Sequence, residues 1–177
     1  MVHSVEVLLD ERSERWVRRQ WAVLAEAGLP SASRHGSASN RPHLTLAAYQ
    51  RIPVDLHPAL RSVAEGLPVT VRLEGLLVFG KDRSRILVRA AVRTAELAAL
   101  QERVRAICGE CPLPADKFDD ADWMPHVTLA RRMSPDQLAG AVGVLDTRTI
   151  VAQGVGLRHW DGERHEEHVL RAVGGQP

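Results

Sequence analysis

Two histidines stand in nearly identical surroundings in this chain. The hexapeptides Pro42-His43-Leu44-Thr45-Leu46-Ala47 and Pro125-His126-Val127-Thr128-Leu129-Ala130 agree at five of six positions, with the histidines 83 residues apart (126 minus 43). On a strand, side chains alternate between faces, so His43 and Thr45 point one way while Leu44 and Leu46 point into a core. The same holds for His126 and Thr128 against Val127 and Leu129. A histidine and a threonine two residues apart sit roughly 6.5 to 7 Å from each other along the backbone, close enough to touch one phosphate group. Phosphodiester cleavage needs one proton removed from the attacking oxygen and another delivered to the leaving oxygen. Histidine is the side chain that titrates near neutrality without perturbation, so a facing pair can divide these tasks, one ring neutral as base and one protonated as acid. The two threonines would donate hydrogen bonds to the non-bridging oxygens. No metal is required by this scheme, and no cofactor is expected. The proline before each histidine lacks an N–H donor, which suits a strand start or edge beside an open cleft.

The elements that must position these residues repeat as well. A strand is expected from Val2 to Leu9. A helix follows from Glu11 to Ala27, where Trp16, Val17, Trp21, Leu24 and Ala25 recur at helical spacing and Gly28 and Pro30 end the run. Ser31 to Asn40 reads as a polar loop, and the first tetrad as a short strand. A helix opened by proline is expected from about Pro53 to Glu65. Pro68 to Phe79 and Arg85 to Val92 read as strands of a hairpin joined by Gly80-Lys81-Asp82. Thr94 can N-cap the next helix, whose Leu97, Leu100, Val104 and Ile107 share one face and which stops at Gly109. A loop from about Glu110 to Trp123 leads to the second tetrad. Each tetrad is followed by Pro-x-x-Leu, at Pro53 to Leu56 and Pro135 to Leu138, so the repeat extends past the hexapeptide. Arg148 to Trp160 and His168 to Val173 read as a second hairpin. The order implies an α+β fold of two pseudo-symmetric lobes. Each is an antiparallel sheet with helices on its outer face, and the cleft lies between them.

Bulk composition narrows the possibilities. The 177 residues fit one bilobal domain spanning 1–177, each lobe contributing one tetrad. Lys plus Arg (23) nearly cancels Asp plus Glu (22), so the overall field is too weak to hold long nucleic acid by counterion release, and any nucleic-acid role must be local. No apolar run approaches membrane-spanning length, and Met1 to Glu6 carries no basic region of a secretory signal. With two cysteines, Cys108 and Cys111, the expected setting is the reducing cytoplasm. The expected state is a monomer.

The paired tetrads His43 to Leu46 and His126 to Leu129 resemble the signature of the 2H phosphoesterases. The run from Pro125 to Arg131 is especially similar to the branch containing bacterial 2'-5' RNA ligases and RNA 2',3'-cyclic phosphodiesterases. That resemblance implies a bilobal fold with a metal-free active site in a central cleft. It implies hydrolysis of a 2',3'-cyclic phosphate to a 2'-phosphate, with reversible 2'-5' joining of RNA as a related activity. It further implies His43 as the acid on the leaving oxygen and His126 as the base on water. Between Ala47 and Pro53 the chain is shorter than the larger ligase-like members and has one aromatic residue, Tyr49. A small cyclic nucleotide is therefore an alternative to an RNA end as partner, and a non-catalytic RNA-end or nucleotide-binding module is the rival reading.

Other residues admit two readings each. Arg41 and Arg131 flank the tetrads and could clamp an anion, or be ordinary surface arginines. Arg34, His35 and Tyr49 could line the cleft, with His35 and Tyr49 able to stack a base. Trp123 is either a stacking platform or a filler between lobes. Cys108-Gly-Glu-Cys111 has redox spacing, but it falls at a helix C-terminus, which does not lower a thiol pKa. His159, Asp161, His165, Glu166 and His168 could bind a metal, or form a polar hairpin turn. The turn is the expected reading, with no metal.

Overall fold

The computed structural model describes residues 2–34, 39–81, 85–114 and 123–172. Along the chain run β1 (His3–Leu9), α1 (Glu11–Glu26), β2 (His43–Tyr49), α2 (His57–Val63), β3 (Val69–Phe79) and β4 (Arg85–Ala91). They are followed by α3 (Ala95–Ile107), β5 (His126–Met133), α4 (Pro135–Val144), β6 (Ile150–Asp161) and β7 (Glu166–Ala172). Every strand pairing is antiparallel.

Helix ends form where side chains can satisfy the free backbone donors. Asp10 accepts from the Ser13 N–H at 3.0 Å at the start of α1, and Thr94 accepts from the Leu97 N–H at 3.2 Å at the start of α3. At α4, Ser134 and Gln137 form a reciprocal capping box ahead of Pro135. The expected helix from Pro53 to Glu65 is instead a 3-10 turn, Val54–Leu56, followed by α2 and a second 3-10 turn, Ala64–Gly66. Pro58 is the physical reason: it has no N–H to bond back to Val54, so a helix begun at residue 53 cannot run through it. The loop after α3 falls partly on residues 115–122, outside the described residues.

The strands form two four-stranded arrays, β2-β1-β6-β7 and β5-β4-β3-β6. They share β6, whose first half (150–154) pairs with β3 and whose second half pairs with β1 and β7. The arrays touch again where Leu44 of β2 pairs with Val127 of β5. The repeating unit is therefore β-α-β-α-β, as β1-α1-β2-α2-β3 and β4-α3-β5-α4-β6. Corresponding first strands, first helices, second strands and third strands begin 82, 84, 83 and 81 residues apart. The hairpins do not stay with their own halves: β3 completes the array of the second tetrad, and β6 completes that of the first. Helices are exchanged too, since α1 packs on β5, β6 and α4, while α3 packs on β2, β3 and α2. Leu44, Leu46, Val127 and Leu129 are all within the core, at 1% exposure or less. No helix among the described residues is long and apolar enough to cross a membrane.

Candidate active site

The tetrads meet at the junction of β2 and β5. With Leu44 opposite Val127, one step of antiparallel register either way sets His43 opposite Thr128 and Thr45 opposite His126. All four side chains lie on the face opposite the buried leucines and valine, half-buried. Each ring is anchored in the same way. His43 Nδ1–H donates to the Arg41 carbonyl at 2.7 Å, and His126 Nδ1–H donates to the Met124 carbonyl at 2.7 Å. A carbonyl only accepts, so Nδ1 carries the proton in both rings, and Nε2 is the nitrogen left to exchange protons. Neither threonine hydroxyl has a hydrogen-bond partner among the described residues.

A cavity of about 520 Å³ opens over the first array, lined by His43, Thr45, Thr128 and Arg131 among others. His126 is outside that lining, with its ring centroid 4.8 Å from that of Phe79. Burial lowers the His126 pKa from its ordinary 6.5, and the charges of Arg131 and His43 add to the effect against the opposing Met124 hydrogen bond. His43 has different company. Glu6 Oε1 lies 3.5 Å from its Nε2, and Arg158 Nη2 lies 3.3 Å from its Nδ1. Glu6 and Arg158 form an ion pair at 2.7 Å, each side chain 3% exposed. Ser4 Oγ donates to Glu6 at 2.6 Å, while Arg158 also reaches Glu167 and the Ser39 carbonyl. A buried pair with so many partners holds its geometry. In the second array the residues in register with Glu6 and Arg158 are Val88 and Leu77. The cleft is thus charged beneath one histidine and apolar beside the other.

The remaining expected residues are placed variously. Arg131 lines the cavity with no ion-pair partner among the described residues. Arg41 also lines it, but its guanidinium is bound to Glu14 at 2.7 Å. Burial raises the Glu14 carboxyl pKa, yet hydrogen bonds from Arg41 and Arg18 outweigh that and hold it low. Trp123 is packed against the core, with Nε1–H donating to the Thr45 carbonyl at 3.1 Å. Tyr49 is buried, 3% exposed, and Arg34 is exposed in a 3-10 turn; neither lines the cavity. His35 lies outside the described residues. Cys108 and Cys111 are free thiols, and burial pushes the Cys108 thiol up to about 12.

The histidines of the C-terminal hairpin are split between two faces. His165 lines the cavity, whereas His159 and His168 lie on the reverse of the first array with His3 and His57. There His57 Nε2, His159 and His3 Nδ1 form a hydrogen-bonded chain with both links at 2.9 Å. His3 Nε2 is 3.3 Å from Asp161 but has no hydrogen-bond partner there. Both nitrogens of His159 are occupied by neighbouring rings, and no group of three or more candidate ligands among the described residues could hold a metal ion. Sequence reasoning passed over Ser4, Glu6, Arg158 and Trp160. The available signal was period two: a serine and a glutamate two apart in an apolar strand, and an arginine and a tryptophan two apart in another.

The fold occurs in solved structures of low identity. TT0787 of Thermus thermophilus is 19% identical at a TM-score of 0.54, covering 97% of this chain and 96% of that one. E. coli LigT, solved with 3'-AMP, is 17% identical at 0.53, covering 94% and 91%. Kluyveromyces marxianus Usb1 is 12% identical at 0.52, covering 96% and 97%. No curated protein sequence matches the chain. These likenesses show that the chain shares its two-lobed fold with those proteins. The family model of the 2'-5' RNA ligase superfamily matches residues 10–163, and the chain belongs to that superfamily. Membership supports a phosphoesterase or RNA-ligase-like function.

Proposed function

We propose that the chain is a phosphodiesterase that opens 2',3'-cyclic phosphates, at RNA ends or in small cyclic nucleotides, to 2'-phosphates. The observation that carries the reading is the quartet at the β2–β5 junction, with both imidazoles fixed by Nδ1, which leaves Nε2 to exchange protons, and two threonine hydroxyls that have no hydrogen-bond partner among the described residues. His126, whose pKa is lowered, is the neutral base. Its Nε2 takes a proton from water as the water oxygen bonds to phosphorus. The bond from phosphorus to the 3'-oxygen breaks, and protonated His43 delivers its Nε2 proton to that oxygen, leaving a 3'-hydroxyl and a 2'-phosphate. Thr45 and Thr128 donate to the non-bridging oxygens as charge builds there, and Arg131 supplies a fixed positive charge. A 5'-hydroxyl attacking in place of water, by the same sequence of steps, would join RNA through a 2'-5' bond and leave the 3'-hydroxyl. Both protons pass through imidazoles, so the scheme needs no metal. The proposed setting, from the two cysteines in the sequence, is the reducing cytoplasm, and the proposed state a monomer.

The test is turnover of a nucleoside 2',3'-cyclic phosphate, with the product identified by phosphorus NMR. His43→Ala and His126→Ala should each lose roughly 100-fold to 10,000-fold in kcat with the fold intact. EDTA should have no effect. Wild-type turnover in both variants would refute the proposal, and saturable binding without product would favour the non-catalytic module.

A further inference from the structure

Trp160 lines the cavity, half-buried, and no step of the proposed mechanism uses it. Its counterpart in the second array is Phe79: Trp160 pairs with Ser4 as Phe79 pairs with Ile86, and these partners sit opposite Ala48 and Arg131, each three residues past a tetrad threonine. Phe79 packs on His126. Trp160 cannot do the same for His43, because Arg158 fills the interval. The Arg158 guanidinium carbon is 5.8 Å from the indole centroid, while its Nη2 is 3.3 Å from His43 Nδ1. A single guanidinium therefore links the indole to the histidine. The His165 ring stands edge-on to the indole at 6.2 Å, on a backbone of positive φ (57°), and also lines the cavity. A flat aromatic surface, backed by a fixed cation and walled at one edge, is what a nucleobase stacks on regardless of its identity.

We infer that Trp160, flanked by His165, is the platform for the base of the nucleotide whose cyclic phosphate lies at the His43–Thr128 end of the cavity. The inference rests on the proposed function and sharpens its substrate class: a nucleoside cyclic phosphate rather than a bare cyclic phosphodiester. The experiment compares kcat/KM for adenosine 2',3'-cyclic phosphate with that for methyl riboside 2',3'-cyclic phosphate, which keeps the sugar and lacks the base. Trp160→Ala should cut the preference for the nucleotide by roughly 5-fold to 150-fold, acting through KM, and Trp160→Phe should restore most of it. Trp160→Leu, which keeps apolar volume in the fold but removes the flat ring, should behave as the alanine variant does. A preference retained in the alanine and leucine variants would overturn the inference. If the wild type cleaves neither compound, the phosphodiesterase reading fails. The platform is then judged by the Kd of adenosine 2'-monophosphate, where a weakening of the same size in Trp160→Ala supports it and equal affinity overturns it.

Discussion

The two histidines share an anchor and differ in environment, and the difference supports the roles proposed for them. Burial lowers the His126 pKa, with the charges of Arg131 and His43 contributing, and Phe79 packs on its ring, whereas Glu6 Oε1 stands 3.5 Å from His43 Nε2. A base with a lowered pKa stays competent below the usual histidine range, so the acid limb of kcat/KM should fall below pH 6.5. Arg131→Gln removes one of the lowering charges and should move that limb upward, toward 6.5, while also raising KM. A pH–rate profile of the two proteins checks both; an unmoved limb would remove Arg131 from the electrostatics of His126. The tetrads were legible in the sequence because they occur twice. Glu6, Arg158 and Trp160 were not, because their register partners in the other array are Val88, Leu77 and Phe79. Duplication exposes what the two lobes share and hides what distinguishes them.

Among the elements, β6 has the most exacting position. At Gly154 it is paired on one side with Leu9 of β1 and on the other with Val69 of β3, where the strand passes from one array to the other. A Cβ at 154 would stand 2.6 Å from Val7 Cγ1 and 3.0 Å from Val69 Cγ1, both stiff β-branched side chains. Gly154→Ala should therefore cost about 1–3 kcal/mol in urea unfolding. A neutral result would mean that the crossing is more loosely packed than it stands here. Local signals placed the helices well where a cap was visible, as at Thr94. Across residues 53–66 they found α2 but made it too long, where Pro58 mattered more than the apolar pattern. Hairpin spacing predicted β3–β4 and β6–β7 correctly, but adjacency in sequence gave no hint that β6 joins the first array through β1, because that pairing joins residues 145 to 156 positions apart.

For the molecule as a whole, the histidine chain behind the first array couples folding to acidity. His159 is 1% exposed. Burial, followed by His57, His3 and His168, holds it at about 4 against the weaker opposing pull of Asp161. His57 is also lowered, by burial first and then by His168 and Arg61. Both folded pKa values lie below the ordinary 6.5, so between those limits the unfolded chain takes up protons that the folded chain refuses. The stability they confer is present above pH 6.5 and is lost as pH falls toward 4, by roughly 1–3 kcal/mol for His159 alone. Urea unfolding at pH 7 and at pH 4.5 should show that loss, and His159→Gln should flatten it; an equal slope in the variant would contradict the account.

The exchange of third strands bears on how the protein is made. The array around His43 begins with β1 and β2, but its other two strands, β6 and β7, lie beyond residue 150. A nascent chain emerging from the ribosome must therefore carry β1 and β2 with one flank unpaired while residues 50–149 are being synthesised, and the pocket beside the first histidine takes shape only once β6 has emerged.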